Sequence, residues 1–239
     1  MLHRSFVISI LCFMPAGPLT ADESPSSGSL QEIVVTATLR PVPALDLPAS
    51  VTVLDEQTLR AAGVQHWQDV LPLVPNLNWA SGSSRPRYFQ LRGIGETDQW
   101  QGAPNPSVGF LIDGMDFSGI GMPATLLDLG QAEVLRGPQG TTLGANALAG
   151  LINLTTRRPE LAPELRLEAT GGSEETRSLG LVAGGALAES SETAWRAVVQ
   201  RYRSDGSRRN VTLRRDDTNG LDETTLRARL GTRLADRWR

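Results

Sequence analysis

The side chains that most enzymes use for catalysis are scarce in this chain. Arginine supplies all 23 basic residues of the 239-residue sequence, and no lysine is present. A Walker A lysine, a Schiff-base lysine and a kinase-type ion pair are therefore excluded, because each needs an ammonium group. The sequence holds one cysteine, Cys12, and two histidines, His3 and His66. We predict that the chain is not an enzyme and that it holds no metal and no cofactor of its own.

Residues 1–21 have the pattern of a secretory signal peptide. Arg4 precedes an apolar run at residues 6–14, and helix breakers and small residues follow up to Ala21. The apolar run is too short for a membrane helix, which needs about 20 residues. Cleavage after Ala21 would remove Cys12 and His3, so the mature chain would have neither a disulfide nor a thiolate metal site. We expect the remaining histidine, His66, to be structural or exposed.

The elements that would position a site fall into two regions. In residues 49–159, short strand patterns alternate with helical patterns, which predicts a small α/β domain. The predicted helices begin near Glu56, break at Gly63 and stop at Pro75. A further short helix is predicted at residues 125–129. The predicted strands are residues 49–55, 88–95, 107–117, 131–137 and 150–159, with a hairpin turn at Asp113 and Gly114.

Residues 160–239 have a different pattern, in which apolar and polar side chains alternate. It is clearest at residues 226–234, where leucine, alanine and threonine alternate with arginine and glycine. Segments of about ten residues with one apolar face are typical of transmembrane β-barrel strands. A short turn at residues 188–192 and a long polar loop at 204–222 also fit a barrel. A soluble antiparallel sheet shows the same alternation, and the secretion signal favours the barrel.

Four stretches, in this order and at this spacing, resemble a TonB-dependent outer-membrane receptor. EIVVTA at residues 32–37 is similar to the TonB box of that family, and residues 49–77 resemble the start of its plug domain. LRGIG at 91–95 and GFLIDGM at 109–115 resemble the middle of the plug. Residues 132–159 resemble the most distinctive run of the family.

The resemblance implies an α/β plug domain followed by the first antiparallel strands of a transmembrane β-barrel. The expected divisions are a signal peptide at 1–21, a flexible segment with the TonB box at 22–48, the plug at 49–159, and about four barrel strands at 160–239. A plugged barrel of this family has about 22 strands, and an open edge in lipid leaves backbone groups unsatisfied. We therefore expect either a fragment of a longer protein or a truncated product.

The implied function is energised uptake of a scarce nutrient, and the expected cargo is a ferric siderophore, the commonest substrate of the family. The resemblance places the protein in the bacterial outer membrane, with the plug and TonB box accessible from the periplasm. The implied partners are TonB of the TonB–ExbB–ExbD complex, outer-membrane lipid and a small-molecule metal chelate, with no nucleic acid. The alternative is a truncated or soluble periplasmic plug-like module that binds TonB without transport.

The resemblance also implies roles for individual residues. A strand with unpaired backbone groups on both edges is a template for strand addition, so the TonB box is expected to bind TonB in this way. The alternative is that the segment is an edge strand of the plug itself. Its residues are Glu32, Ile33, Val34, Val35, Thr36 and Ala37.

Two plug arginines, Arg92 and Arg136, are expected to pair with glutamates on the inner barrel wall. Such charged contacts would seat the plug and still let it shift when it is pulled.

Two plug loops are expected to meet the substrate first, because aromatic and guanidinium side chains suit an anionic, planar chelate. The candidate substrate-facing residues are Trp79, Arg85, Arg87, Tyr88, Trp100 and Gln101.

Overall fold

The computed structural model describes residues 33–37, 41–82, 85–98, 106–120, 124–140, 146–188, 192–215 and 218–232. The predicted signal peptide, Glu32, Trp100 and Gln101 lie outside these residues. Within the described ranges, no helix combines the length and the apolar character needed to cross a membrane.

The described residues form thirteen strands, one α-helix and one 3₁₀ helix, and the strands are arranged in two main sheets and two small ones. The helical elements are α1 (Glu56–Ala61) and the 3₁₀ helix Trp67–Leu73. The strands are β1 (Val34–Val35), β2 (Val42–Pro43), β3 (Ser50–Asp55), β4 (Leu77–Ala80), β5 (Tyr88–Leu91), β6 (Val108–Ile112), β7 (Met115–Asp116), β8 (Leu129–Arg136), β9 (Gly150–Thr156), β10 (Glu164–Gly171), β11 (Arg177–Ala186), β12 (Thr193–Ser204) and β13 (Leu221–Thr232).

The predicted plug domain, called the plug below, is built on a five-stranded sheet in the order β3-β8-β9-β6-β7. Only the β6–β9 pair is parallel among these five strands. Strands β6, β8 and β9 are rich in buried apolar side chains because helices and loops cover the sheet. Trp67, Phe110 and Ile152 are almost fully buried in the main core. This arrangement confirms the predicted α/β domain.

The first predicted helix begins where the sequence places it. The Asp55 carboxylate accepts a hydrogen bond from the Thr58 backbone N–H at 2.7 Å and caps α1. Hydrogen bonds from the Thr58 side chain and backbone lower the pKa of Asp55 below its ordinary value. Gly63 follows α1 with φ +65°, a left-handed conformation that ends the run. The second predicted helix is present as the 3₁₀ helix, with Pro72 inside it.

The short helix predicted at residues 125–129 is wrong. Residues 127 and 128 form a turn, and β8 begins at Leu129. Asp128 has φ +62°, in the left-handed region that ends a helix and that aspartate tolerates better than most residues. The Asp113–Gly114 hairpin is confirmed, with φ values of +52° and +79° that fit a type I′ turn.

Strands β10 to β13 form a four-stranded antiparallel meander. The outward face carries exposed apolar side chains, and Leu226 and Leu230 are 74% and 72% exposed. The opposite face carries Arg166, Arg196 and Arg229, which contact the plug. A soluble sandwich would bury these leucines in a protein core. The exposure of the leucines and the inward arginines match the fold predicted for the start of a barrel.

Candidate functional site

The segment predicted to be a TonB box lies docked on the plug. The prediction that both of its edges are free is wrong for residues 33–37, because β1 pairs with β2 through Val34↔Pro43 and Val35↔Val42. The Ala44 N–H also donates to the Ile33 carbonyl at 2.8 Å. Val35 is fully buried in a small apolar cluster with Leu135 and other plug residues.

The second edge of the segment is held by side chains of β8. Gln131 Nε2 donates to the Val34 carbonyl at 2.8 Å. The backbone N–H groups of Thr36 and Ala37 donate to the two carboxylate oxygens of Glu133, at 2.5 and 2.7 Å. Both backbone edges of the segment are therefore occupied, one by a strand and one by side chains.

Glu133 is the anchor of this docking site. It is fully buried, and its carboxylate also accepts from Thr36 Oγ1 at 2.8 Å, Gln131 Nε2 at 2.6 Å and Asn153 Nδ2 at 3.0 Å. Hydrogen bonds to an ionised acceptor are about twice as strong as neutral ones. Sequence reasoning missed this residue. The available signal was a lone carboxylate inside the apolar run of β8, since a buried charge requires partners.

Arg136 makes its contacts within the plug. It is 9% exposed, and Nη2 donates to Thr52 Oγ1 at 2.9 Å and to the Pro75 carbonyl at 3.1 Å. Burial, and then the charge of Arg92, lower the pKa of its guanidinium, which remains protonated at neutral pH. Arg92 has φ +54°, and its N–H donates to the Asn76 carbonyl. The pairing of these arginines with barrel glutamates stays a prediction.

We expect Arg136→Ala to loosen the plug and to raise the sensitivity of cells to a bulky antibiotic that the intact outer membrane excludes. The substitution removes two hydrogen bonds that join β8 to β3 and to the Pro75 turn, each worth about 1.5–3 kcal/mol for a charged donor. Growth inhibition measures the effect. The matched control is Arg158→Ala, at an exposed arginine. Equal sensitivity of both variants would remove Arg136 from plug seating.

The plug is joined to the strands by buried ion pairs. Arg196 on β12 makes two hydrogen bonds to the Asp128 carboxylate, at 2.6 and 2.5 Å, and both side chains are almost fully buried. Arg196 also contacts Glu164 at 2.8 Å, and Arg166 contacts Asp128 at 3.0 Å. At Gly180 on β11, an added Cβ would lie 2.8 Å from Leu127 Cδ2, so glycine permits this close approach.

Two further ion pairs join the plug to β13. Arg229 contacts the Asp113 carboxylate at 2.9 Å and Thr156 Oγ1 at 2.6 Å. Arg85 makes hydrogen bonds of 2.6 and 2.5 Å to the two carboxylate oxygens of Glu223. The resemblance implied plug arginines that meet barrel glutamates. In the described residues, three pairs have that polarity: Arg85 with Glu223, Arg60 with Glu168 at 3.0 Å, and Arg157 with Glu164 at 3.7 Å. The pairs of Arg166, Arg196 and Arg229 place the arginine on the strand.

The residues predicted to face the substrate separate into two groups. Arg85 and Tyr88 are only 5% and 8% exposed, so the prediction is wrong for them. The Arg85 guanidinium is held by Glu223, and Tyr88 lies inside the β4–β5 hairpin pairing. Trp79 packs partly against the main core. Arg87 is exposed, lies 5.3 Å from the Tyr88 ring centroid and donates to the Gly119 carbonyl.

His66 has a structural role, as expected. It is 1% exposed, and its Nδ1 accepts from the Gln68 N–H at 3.2 Å. The Asp69 carboxylate accepts in return from the His66 N–H at 3.0 Å, which completes a capping box for the 3₁₀ helix. Among the described residues, no three histidine, cysteine, aspartate or glutamate side chains are grouped as a metal site would require.

Comparison with known proteins gives consistent matches. Residues 43–151 match the family model described as TonB-dependent Receptor Plug Domain. The chain is 31% identical over 128 residues to the pesticin receptor of Yersinia pestis, covering 53% of this chain and 19% of that protein. It is 27% identical over 233 residues to the vitamin B12 transporter BtuB of Photobacterium profundum, covering 96% of this chain and 36% of that protein.

A solved structure shows the same architecture. The crystal structure of the ferric yersiniabactin uptake receptor FyuA from Yersinia pestis matches with a TM-score of 0.66 and 27% identity. The match covers 76% of this chain and 28% of that chain. The present chain therefore spans between 19% and 36% of the length of these three proteins.

Proposed function

This chain carries the plug domain of the TonB-dependent receptors, joined to strands with the fold of their barrel, and we propose that it forms the N-terminal part of a nutrient uptake receptor. In this proposal the protein resides in the bacterial outer membrane after export through its signal peptide. Residues 32–37 bind TonB of the TonB–ExbB–ExbD complex by strand addition. Energy from TonB then shifts the plug and admits the nutrient.

The seating of the plug on the inward face of β10–β13 carries the proposal. The ion pair between Arg196 and Asp128 is buried, whereas the leucines on the other face of the same strands are exposed. One face of the sheet thus fits a protein plug and the other fits lipid. Polar contacts of this kind hold the plug while it rests and leave no large apolar seam to separate when it moves.

The proposed cargo is an anionic metal chelate, most simply a ferric siderophore. One similar protein is named as a vitamin B12 transporter, and another as a ferric yersiniabactin uptake receptor. Arg87 supports the siderophore, because it is exposed and its guanidinium lies 5.3 Å from the centroid of the Tyr88 ring. A guanidinium in that position suits an anionic, planar group.

Proline substitution within the segment tests the coupling step. Val35→Pro is expected to abolish energy-dependent uptake of radioactive ferric siderophore by intact cells, because proline cannot donate from its backbone nitrogen and disrupts a strand. Val211→Pro is the control, since Val211 is 79% exposed in the β12–β13 loop. Uptake that survives Val35→Pro, or that fails equally in both variants, would count against coupling through this segment.

Fractionation tests the location, and it separates the receptor from the soluble alternative. We expect the protein in the outer-membrane fraction of its own cells, with an intact mass well above 25.7 kDa. A soluble product at or just below that mass would support the plug-like TonB-binding module, which has no transport activity.

A further inference from the structure

The register of β10–β13 divides their outward face into rows. Three successive rows carry only apolar side chains or glycine, and Leu167, Leu181, Val199 and Leu226 form one complete row across the four strands. The exposed fractions of these four side chains are 65%, 40%, 42% and 74%. Along β12, the outward positions from Trp195 to Val199 carry no charge, and the next outward positions are Arg201 and Arg203. The apolar surface therefore ends abruptly toward the long β12–β13 loop.

Three arginines stand at that boundary, and we name Arg177, Arg201 and Arg203 the arginine cluster. Arg177 lies directly opposite Arg203 in the β11–β12 register, and Arg201 lies opposite Leu179. Directly opposite residues of an antiparallel pair have Cα atoms about 4.5–5.5 Å apart. All three arginines are exposed.

The nearby carboxylates do not balance this charge. Arg177 contacts Glu175 at 2.6 Å, and Arg201 pairs with Asp222 and donates to Thr224 Oγ1 at 2.6 Å. Among the residues that the structure describes, Arg203 makes no ion pair. Two carboxylates thus face three guanidinium groups. Asp222, which lies opposite Arg203 in the β12–β13 register, is paired with Arg201. Like charges directly opposite each other on a sheet are destabilising, so a bound anion would relieve the repulsion between Arg177 and Arg203.

We propose that the arginine cluster binds the phosphate group of an anionic lipid in the outer leaflet of the membrane. Guanidinium groups bind phosphate oxygens through paired hydrogen bonds. The assignment to a lipid, rather than to free phosphate, rests on the position of the cluster directly beside the apolar surface. The cluster borders Leu179 and the apolar rows, so a phosphate held there lies where its own acyl chains can pack on the leucines. This inference rests on the proposed function, which puts these strands in the outer membrane with the long loop outside.

Binding of purified lipopolysaccharide tests the site. The protein is extracted from outer membranes in detergent, stripped of lipid and titrated with fluorescent lipopolysaccharide. Each arginine removed near an anionic lipid surface is expected to weaken binding roughly fivefold, so Arg177→Gln with Arg203→Gln should weaken it roughly 25-fold. The control is Arg158→Gln, at an exposed arginine near the opposite end of the strands, which should bind like the wild type. The test positions are exposed, and the substitutions remove a repulsion, so folding should be retained.

Two further probes identify the source of the phosphate. Dephosphorylated lipopolysaccharide is expected to bind as weakly to the wild type as intact lipopolysaccharide does to the double variant. Inorganic phosphate at an equal phosphate concentration is expected not to compete. Competition by inorganic phosphate would make this a free-anion site and overturn the lipid assignment. Unchanged binding by the double variant would overturn the site itself.

The outcomes also separate this inference from the proposed function. Fractionation determines the location of the wild-type protein, and this measurement does not depend on the arginine variants. If the protein lies in the outer membrane and the double variant still binds lipopolysaccharide normally, the inference alone fails. If the protein is absent from the outer membrane, the proposed function fails and the inference fails with it.

Discussion

Replacing Arg196 with methionine is expected to lower the free energy of unfolding by about 3 kcal/mol, because it leaves the Asp128 carboxylate buried without its main partner. The Asp128 side chain is 1% exposed, and Arg196 supplies two of its hydrogen bonds. Arg166 still contacts Asp128, which keeps the loss at the lower end of the range for such pairs. Denaturant unfolding of the detergent-solubilised protein, followed by tryptophan fluorescence, measures the change.

A double-mutant cycle shows whether the loss comes from the unpaired charge. Asp128→Asn removes the charge and suits the left-handed backbone at this position, where φ is +62°. The combined variant Arg196→Met with Asp128→Asn is therefore expected to recover part of the stability lost by Arg196→Met alone. Arg158→Met is the surface control and should change stability by less than about 0.5 kcal/mol. A loss in Arg196→Met no larger than in this control would contradict a stabilising role for the pair.

Glu133→Ala is expected to release the docked segment, because five hydrogen bonds end on this carboxylate and two come from the backbone N–H groups of Thr36 and Ala37. Leaving those two donors without an acceptor costs about 3 kcal/mol. Hydrogen exchange at the Thr36 and Ala37 amides should then accelerate roughly 100-fold. Glu160→Ala, at a side chain that is 62% exposed, is the control and should leave both amides protected.

Amides of the plug core distinguish local release from general unfolding. The Ile152 amide lies in the middle of β9, between β8 and β6, and should stay protected in Glu133→Ala. Equal acceleration at Ile152 would mean that the variant unfolds globally. Unchanged exchange at Thr36 and Ala37 would show that Glu133 does not hold the segment.

Release of the segment bears directly on coupling. Strand addition needs a free backbone edge, and the structure shows β1 with β2 on one edge and Gln131 and Glu133 on the other. In the docked state the segment therefore offers TonB no free edge. We expect a periplasmic fragment of TonB to bind Glu133→Ala more tightly than the wild type, since the variant no longer has to break the carboxylate contacts first.

Local patterns in the sequence predicted much of the fold. The helix cap at Asp55, the break at Gly63 and the hairpin at Asp113 and Gly114 each depend on residues within four positions of one another. The alternation in β10–β13 predicted which side chains face outward, because the side-chain period of a strand is two. The predicted helix at residues 125–129 was wrong because a long-range contact, between Asp128 and Arg196, accompanies a turn there.

The sequence by itself determined the class of fold: an α/β domain with amphipathic strands after it. Only the tertiary structure decided which charges meet. Arg85 binds Glu223 across 138 positions of sequence, and Glu133 binds Thr36 across 97. Periodicity and turn signals describe neighbours along the chain, whereas buried charges take whatever partner the packed elements bring within hydrogen-bond distance. For that reason the seat of the plug and the anchor of its N-terminal segment emerged only from the folded chain.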